Sequence, residues 1–392
     1  MTMRQLFLQH IAQTTDNPLA IEFTKAECCT LYDATGKTYI DLIGGISVCN
    51  IGHSHPQVVA AITKQASLYM HTMVYGEIVQ GPQVLYAQKL ISLLPQQLNC
   101  VHFTNSGAEA AEGAMKLAKR VTGRSKIIAC NNSYHGSTQG ALSLIGSEYW
   151  RNAYRPLLPN VFHYNYNCNT FINAIDSTTA CVFVEVVQAE SGVTPANKIW
   201  LQNIKDACAK HGALLVFDEI QTGFGRTGKM FAMEHYNITP DVLLLGKALG
   251  GGMPLGAFIA NKKLLNVFTH NPLLGNISTF AGHPVSCAAG LAALHVLINE
   301  EWVHKVADNQ AHLKNLLQQY GFINSNVFGL WAAVNFDSFT TNKKIIDYCI
   351  SQGVFTDWFL FNAKALRISP PLIIHKNQLT TALQTMARGL DI

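Results

Sequence analysis

The sequence predicts an α/β fold, with a mostly parallel sheet in a large domain and a smaller α+β domain built from both chain ends. From about residue 80, short runs of β-branched and other apolar residues alternate with helical patterns. The strand runs are apolar almost throughout, which is typical of strands buried on both faces. The chain has 392 residues, of which 48% are hydrophobic and 13% charged, enough apolar material for two closely packed domains.

The N-terminal segment, residues 1–55, carries short strand signals and is expected to join the smaller domain. Two β-rich runs in CCTLYDATGKTYIDLIGG flank residues 34–36, a pattern typical of a hairpin. A helix is expected to open after Pro56, where the large domain, residues 56–282, begins.

The large domain is predicted to alternate helices and strands, and residues 283–392 are predicted to complete the smaller domain. In order, the large-domain elements are helix PQVLYAQKLISLLP, strand CVHFT, helix GAEAAEGAMKLAKRVTG, strands SKIIAC and ACVFVEVV, helix LQNIKDACAKHG, and strands ALLVFDE, DVLLLGK and GAFIAN. After these we expect one long helix, PVSCAAGLAALHVLINEEWVHKVADNQAHLKNLLQQ, then strands LWAAVNFD and ALRISPP and a last helix.

The composition argues against binding to nucleic acids or membranes. The net charge of +4 arises from 28 basic and 24 acidic side chains that are spread along the chain without a basic block. No stretch reaches the ~18 uninterrupted apolar residues of a membrane span, and the first residues lack the pattern of a cleavable signal. The 10 cysteines have no regular spacing, so we expect no disulfide framework and a reducing, cytoplasmic location. Low charge with high apolarity indicates that a partner subunit covers part of the surface.

Lys247 is the most informative residue, because it ends the apolar strand DVLLLGK and a glycine-rich turn follows it. In open α/β sheets, ligands bind beyond the carboxyl ends of the strands. A poorly solvated lysine there has a lowered pKa, and its amine can act as a nucleophile or form a Schiff base. The sequence alone leaves open the alternative that the side chain reaches the surface and is solvated.

Two further groups fall at predicted strand ends. The segment NSGAEA, residues 105–110, joins a strand to a helix, where small residues and free backbone N–H groups favour a phosphate. The alternative is an ordinary N-terminus with Ser106 as cap and Glu109 completing a capping box. Asp218 ends ALLVFDE and could be a helix cap, a metal ligand or the partner of a pyridinium nitrogen. Together with an imine-forming lysine, these groups are the parts needed to bind pyridoxal 5′-phosphate (PLP).

The chain resembles the class-III aminotransferases (subgroup II, ω-amino), and most of all their acetylornithine, ornithine, putrescine and 4-aminobutyrate branch. The resemblance runs through nearly the whole chain in the motifs YIDLIGGISVCNIGHSHP, FTNSGAEAAEGAMKLAKR, SYHGST, VEVVQAESGV, LLVFDEIQTGFGRTGKMFAMEH, PDVLLLGKALGGGMPLGAF, STFAGHPVSCAAGLAAL and LRISPPL. It implies a PLP enzyme of fold type I that moves the amino group of an ω-amine or ω-amino acid to 2-oxoglutarate, giving glutamate. It also implies an obligate homodimer with active sites at the subunit interface.

The resemblance implies roles in holding the cofactor. Lys247 matches the Schiff-base lysine, Asp218 the partner of the pyridinium nitrogen and Gln221 the group near the ring's phenolic oxygen. Tyr134 matches the aromatic residue stacked on the ring, with His135 beside it. The residues that match the phosphate site are Ser106, Gly107, Ala108 and, from the other subunit, Thr279.

The resemblance also implies how substrates bind. Arg367 matches the arginine that grips the α-carboxylate of 2-oxoglutarate or glutamate, and Glu190 the acid that masks it when the donor has no carboxylate there. Ser278 is expected next to the substrate. Ser137 stands where acetylornithine and ornithine enzymes usually carry arginine, and Ile46 where ornithine enzymes tend to have tyrosine. These two departures favour a diamine such as putrescine, or another ω-amine, as the donor.

Two other functions compete with that of an aminotransferase. The same fold could catalyse another PLP reaction, such as that of an aminomutase or decarboxylase, but Arg367 with Glu190 favours transfer to a dicarboxylate. A PLP-binding protein without turnover is disfavoured because the lysine and its expected partners are all present. His53 and His55 lie two residues apart with no acidic neighbour in GHSHP, so no metal is expected there.

Overall fold

The N-terminal part of the chain supplies three strands, two helices and one helical turn. The computed structural model of the protein describes residues 1–391. These first elements are α1 (Met3–His10), β1 (Phe23–Glu27), β2 (Thr30–Asp33), β3 (Thr38–Asp41), α2 (Gly44–Ser47) and α3 (Pro56–Leu68). Strands β2 and β3 pair antiparallel, which confirms the predicted hairpin, and α3 begins at the proline expected to open it.

The middle of the chain alternates helices and strands, as predicted. Its elements are α4 (Gly81–Ile91), β4 (Cys100–Thr104), α5 (Gly107–Thr122), β5 (Lys126–Cys130), α6 (Gln139–Ser143), α7 (Glu148–Arg151), β6 (Val161–Tyr164), α8 (Asn169–Asn173), β7 (Thr179–Glu185), β8 (Val187–Gln188), β9 (Thr194–Pro195), α9 (Lys198–His211), β10 (Leu214–Asp218), β11 (Val242–Leu245), β12 (Gly256–Ala260) and α10 (Lys262–Leu265). A seven-stranded sheet has the order β4-β12-β11-β10-β7-β5-β6. Only β12 runs antiparallel to its neighbours in this sheet, so the mostly parallel arrangement is confirmed.

The C-terminal part adds a second mixed group of helices and strands. Its elements are α11 (Pro284–Asn299), α12 (Trp302–Gln319), β13 (Ser325–Val327), β14 (Ala332–Asn335), α13 (Phe339–Ser351), β15 (Val354–Phe355), β16 (Trp358–Phe359), β17 (Asn362–Ile368) and α14 (Lys376–Arg388). The prediction of one long helix after residue 283 is wrong, because Glu301 adopts a left-handed φ of 57° and separates α11 from α12. Strand β15 pairs with β3, so both chain ends share a sheet. The domain limits at residues 55 and 282 stay a prediction.

Both faces of the large sheet are buried. On one face, Val182 and Leu215 pack in the same cluster as Trp200 of α9. On the other face, Phe183 and Val216 pack with apolar residues of α5. Each fully buried side chain of this size contributes about 1.5–3 kcal/mol relative to an exposed one, which is why these strands are apolar along their whole length.

The most apolar helix, α11, packs against α3 and α4. Ten of its residues are buried, and its apolar side chains therefore belong to the core. Among residues 1–391, no helix combines the length and the apolar character needed to cross a bilayer.

Arg226 links the glycine-rich segment after β10 to the N-terminal and C-terminal parts of the chain. Its fully buried guanidinium donates to the carbonyl oxygens of Leu330 (2.8 Å) and Pro370 (2.7 Å) and to the side-chain oxygen of Asn50 (2.7 Å). Asn50 in turn donates to the carbonyl of Phe224 at 2.8 Å. None of these acceptors is a carboxylate, and burial lowers the pKa of Arg226 to about 9. The segment that follows Asp218 is thus held against the C-terminal sheet.

Candidate active site

A cavity of about 270 Å³ opens where the chain leaves strands β7, β10 and β11. This is the edge at which ligands bind in open α/β sheets. Most of the site residues predicted from the sequence line it, and these are Ser106, Gly107, Ala108, Tyr134, His135, Ser137, Glu190, Gln221 and Lys247. The fold therefore brings together side chains that are far apart in the sequence.

Lys247 follows β11 after one glycine and adopts a left-handed φ of 48°. Its side chain lines the cavity. Burial lowers the pKa of its amine below the ordinary value, although Asp218, Glu190 and Glu185 attract its positive charge. An amine with a lowered pKa is neutral in a larger fraction of molecules near pH 7, which makes it a better nucleophile.

Asp218 is buried at the end of β10 and bonds two residues of the cavity wall without lining the cavity itself. One carboxylate oxygen lies 2.7 Å from Nδ1 of His135, and the other accepts a hydrogen bond from the backbone N–H of Ile220 at 2.9 Å. Within residues 1–391, the buried Nε2 atoms of His135 and Gln221 have no partner. Unpaired buried polar atoms beside a carboxylate suit a ligand with a polar ring.

The first turn of α5 forms another wall of the cavity. Ser106 is the N-cap, and its hydroxyl accepts a hydrogen bond from the backbone N–H of Glu109 at 3.2 Å. The alternative of a capping box is not formed, because the Glu109 carboxylate accepts from the backbone N–H of Asn105 (2.8 Å) rather than from that of Ser106. The N–H groups of Gly107 and Ala108 have no acceptor within the helix and are available to an anion.

Arg367 and Glu190 form a buried bidentate ion pair, with both N–O distances at 2.9 Å. The guanidinium also donates to Asp357 (2.8 Å) and to the carbonyl of Trp358 (3.0 Å), and it lies 4.3 Å from the ring centre of Phe359. Burial would raise the pKa of Glu190, but Arg367 holds it below its ordinary value. Glu190 lines the cavity and Arg367 does not, so the carboxylate covers the guanidinium on the cavity side.

Ser278, Thr279 and Ile46 do not line the cavity of their own chain. Thr279 is exposed, and the Ser278 hydroxyl accepts a hydrogen bond from the Asn105 amide at 2.7 Å in a separate groove. Ile46 belongs to α2, in which all four residues have positive φ, a conformation that non-glycine residues rarely adopt. Thr279 is expected to act in the site of the other subunit, so its role, like those expected of Ser278 and Ile46, stays a prediction.

Glu185 is a cavity residue that the sequence did not reveal. It ends β7 directly opposite Asp218, and its carboxyl accepts from the backbone N–H groups of Tyr134 (3.3 Å) and Ala189 (3.2 Å). Burial and then the charge of Asp218 raise the pKa of Glu185 well above its ordinary value. Its position at a strand end would have identified it only if β7 had been known to lie beside β10.

The histidines of GHSHP have structural partners. His53 forms an ion pair with Asp41 at 2.7 Å. Burial alone would lower the pKa of His53, but Asp41 and then Cys49 raise it to about 10. His55 caps α3 by accepting from a backbone N–H. Among residues 1–391, no three His, Cys, Asp or Glu side chains are grouped to hold a metal ion.

The family model described as Aminotransferase class-III matches residues 11–390. The chain belongs to the class-III aminotransferases. It is 35% identical to the acetylornithine aminotransferase of Methanocaldococcus jannaschii, with 94% of this chain and 93% of the relative covered. It is also 35% identical to the putrescine aminotransferase of Pectobacterium atrosepticum, with 93% of this chain and 81% of the relative covered.

Among solved structures, this class-III aminotransferase is similar to the ornithine aminotransferase of Toxoplasma gondii, crystallised with partial occupancy of PLP at its active site. The TM-score is 0.90 at 27% identity, and the match covers 98% of this chain and 93% of that one. These findings confirm the fold predicted from the sequence. They also confirm that the protein is a PLP-dependent aminotransferase, which passes an amino group from a donor to a keto acid.

The residues around the cavity fit this cofactor. A buried carboxylate and the unpaired nitrogen atoms of His135 and Gln221 suit a pyridine ring with polar substituents. The N-terminus of α5 suits the phosphate group. The amine of Lys247 suits the aldehyde group.

Replacing Glu185 with glutamine tests whether this carboxyl carries a proton in the folded protein. An unfolded glutamate ionises near pH 4.3, so the wild type is expected to lose stability relative to Glu185→Gln as the pH rises from about 4.3 towards the raised pKa. The difference in free energy of unfolding should grow by up to about 1.4 kcal/mol per pH unit in that window. Urea unfolding of the cofactor-free proteins between about pH 5 and about pH 8 measures it, with the exposed Glu22→Gln as control. A difference that does not change with pH contradicts a protonated Glu185.

Proposed function

We propose that the protein transfers the amino group of an ω-amine to 2-oxoglutarate, giving glutamate. The observation that carries this proposal is the buried ion pair of Arg367 with Glu190, whose carboxylate faces the cavity that Lys247 also lines. Such a pair can present either a masked or a free guanidinium to the substrate. Two unlike substrates can therefore use one site in turn.

The cofactor is held by side chains on three sides of the cavity. Lys247 would hold the aldehyde group through Nζ, and Asp218, which lies 2.7 Å from His135, would favour the protonated form of the pyridine nitrogen. Gln221 would donate its free amide N–H to the phenolic oxygen, and the first turn of α5 would hold the phosphate. When bound, PLP supplies an electron sink for charge that develops at the substrate carbon. The Lys247 amine would accept a proton from that carbon and return it.

The keto-acid acceptor binds when its own carboxylate displaces the Glu190 carboxylate from Arg367. A carboxylate of 2-oxoglutarate takes the place of Glu190 at Arg367, so the buried guanidinium keeps two parallel hydrogen bonds and a counter-charge. Asp357 and the carbonyl of Trp358 hold the guanidinium in position during the exchange. A donor without a carboxylate at that end leaves the Glu190 pair intact.

The donor is proposed to be a diamine such as putrescine. Ser137 lies 3.1 Å from the Tyr134 hydroxyl, and Lys247 is the only lysine or arginine among the residues that line the cavity. The α-carboxylate of ornithine or acetylornithine would therefore have no cation to pair with at this position. A second candidate donor is acetylornithine, which is favoured by the name of the Methanocaldococcus jannaschii relative.

The active enzyme is proposed to be a homodimer that completes each site with residues from both chains. Ser278 and Thr279 do not reach the cavity of their own chain, which supports their action in that of a partner. Two large apolar side chains near them are exposed: Phe280 follows Thr279 in the sequence, and Val79 lines the same groove as Ser278. A patch of this kind favours burial by a second copy. The 10 cysteines, all with free thiols, support the proposed cytoplasmic location.

A donor panel tests the transfer reaction and the donor together. Putrescine should remove the absorbance band of the bound cofactor, and 2-oxoglutarate should restore it, whereas acetylornithine, ornithine, 4-aminobutyrate and lysine should react more slowly. Ser137→Arg is expected to shift the ratio of kcat/KM towards acetylornithine because it adds a cation, and Ser137→Ala should leave the order of donors unchanged. A wild type that reacts best with acetylornithine contradicts the diamine proposal. Donors that remove the band without 2-oxoglutarate restoring it contradict that acceptor and favour a different PLP reaction.

Replacing Arg367 with alanine tests the acceptor site. The KM for 2-oxoglutarate should rise by about 10- to 150-fold, the equivalent of about 1.5–3 kcal/mol for a lost charge-assisted bidentate contact. The KM for the amine donor should change much less, since the donor leaves the pair intact. Steady-state kinetics with each substrate varied separately measure both values, and Arg367→Lys should give an intermediate acceptor KM. Equal increases for donor and acceptor would argue against the assigned role.

A further inference from the structure

Glu112 makes an unusual set of hydrogen bonds from the middle of α5. A single carboxylate oxygen accepts from the hydroxyl of Thr138 (2.6 Å) and from the backbone N–H groups of Gly140 (2.9 Å) and Ala141 (3.1 Å). The Thr138 side chain does not cap α6, so Glu112 satisfies N–H groups at the start of that helix in its place. A residue of α5 thus fixes the beginning of a distant segment.

The segment that Glu112 holds is the loop formed by residues 134–138, which lies between β5 and α6. Tyr134, His135 and Ser137 of this loop line the cavity. At its other end, the backbone N–H of Tyr134 donates to Glu185. The loop is therefore anchored at both ends by carboxyl groups from neighbouring elements.

The same helix α5 forms the opposing wall of the cavity through its first turn. The two walls touch at Gly136, where any Cβ atom would lie only 2.5 Å from the Cβ atom of Ala108. Gly136 has a φ of 127°, which favours glycine. The spacing between the loop and the N-terminus of α5 is thus set by one close contact and by the Glu112 hydrogen bonds.

We propose that Glu112 is a positioning residue of the cofactor site. Its carboxylate holds the loop that carries Tyr134 and His135 at a fixed distance from the helix N-terminus that receives the phosphate. This inference rests on the roles proposed above for that loop and helix. Because Glu112 is only partly buried and Thr138 is exposed, the bonds contribute to local geometry more than to the core of the protein.

The test compares Glu112→Ala with Glu112→Gln. Cofactor-free protein is titrated with PLP, and the dissociation constant and the wavelength of the bound band are recorded. Glu112→Ala should weaken PLP binding by at least about tenfold and shift the band, since three donors lose their acceptor. Glu112→Gln should remain within about threefold of the wild type, because the amide oxygen still accepts. Thr138→Val, which removes one of the three bonds, should fall between them.

Melting temperatures separate positioning from a general structural role. Without PLP, Glu112→Ala should melt close to the wild type, and the increase in Tm that PLP gives should be smaller. Glu148→Ala is the matched control, since Glu148 bonds only the nearby Arg151 and Arg155 on the surface. The proposal is overturned if Glu112→Ala binds PLP like the wild type, if glutamine fails as alanine does, or if the Tm falls equally with and without PLP. Failure of the cofactor assignment itself would be visible separately, as a wild type that forms no PLP band.

Discussion

The burial of an amine at the end of an apolar strand is the constraint on which the site depends. Taking the charged form of Lys247 out of water is costly, and the protein compensates only in part. The buried acidic side chains whose ionised forms attract it are Asp218, Glu190 and Glu185. Asp218 also bonds His135 and Glu190 also bonds Arg367, so neither acts on the Lys247 amine alone. The amine is therefore left nearer to its neutral, reactive form.

Strand order turns this local constraint into a site. Strands β7, β10 and β11 are neighbours in the sheet, so the residues that follow them meet at one edge although long stretches of sequence separate them. Arg226 links the segment after β10 to the carbonyl of Pro370, which follows shortly after Arg367 in the chain. The same short stretch therefore carries this link and the ion pair of Arg367 with Glu190. Hydrogen bonds and ion pairs between buried polar groups, in addition to apolar packing, thus fix the geometry around the cavity.

Much of this arrangement could be predicted from the sequence, and the features that were missed or predicted wrongly have physical causes. The buried strands were predictable because both faces are apolar, and Lys247 and Asp218 because they are charged residues at the ends of such strands. The break at Glu301 was not, since the helical periodicity continues across it. Arg226 gave no signal, because a buried arginine and a solvated one look alike in FGRTG. The expected action of Thr279 in the site of another subunit stays a prediction.

The central claim is that the Lys247 amine forms the covalent bond to the cofactor. Reduction of the PLP-loaded enzyme with borohydride, followed by peptide mapping, tests it most directly. The pyridoxyl label is expected on Lys247, and Lys247→Ala should take up no label. A label on another lysine, or an unlabelled wild-type protein that nevertheless binds PLP, would contradict it.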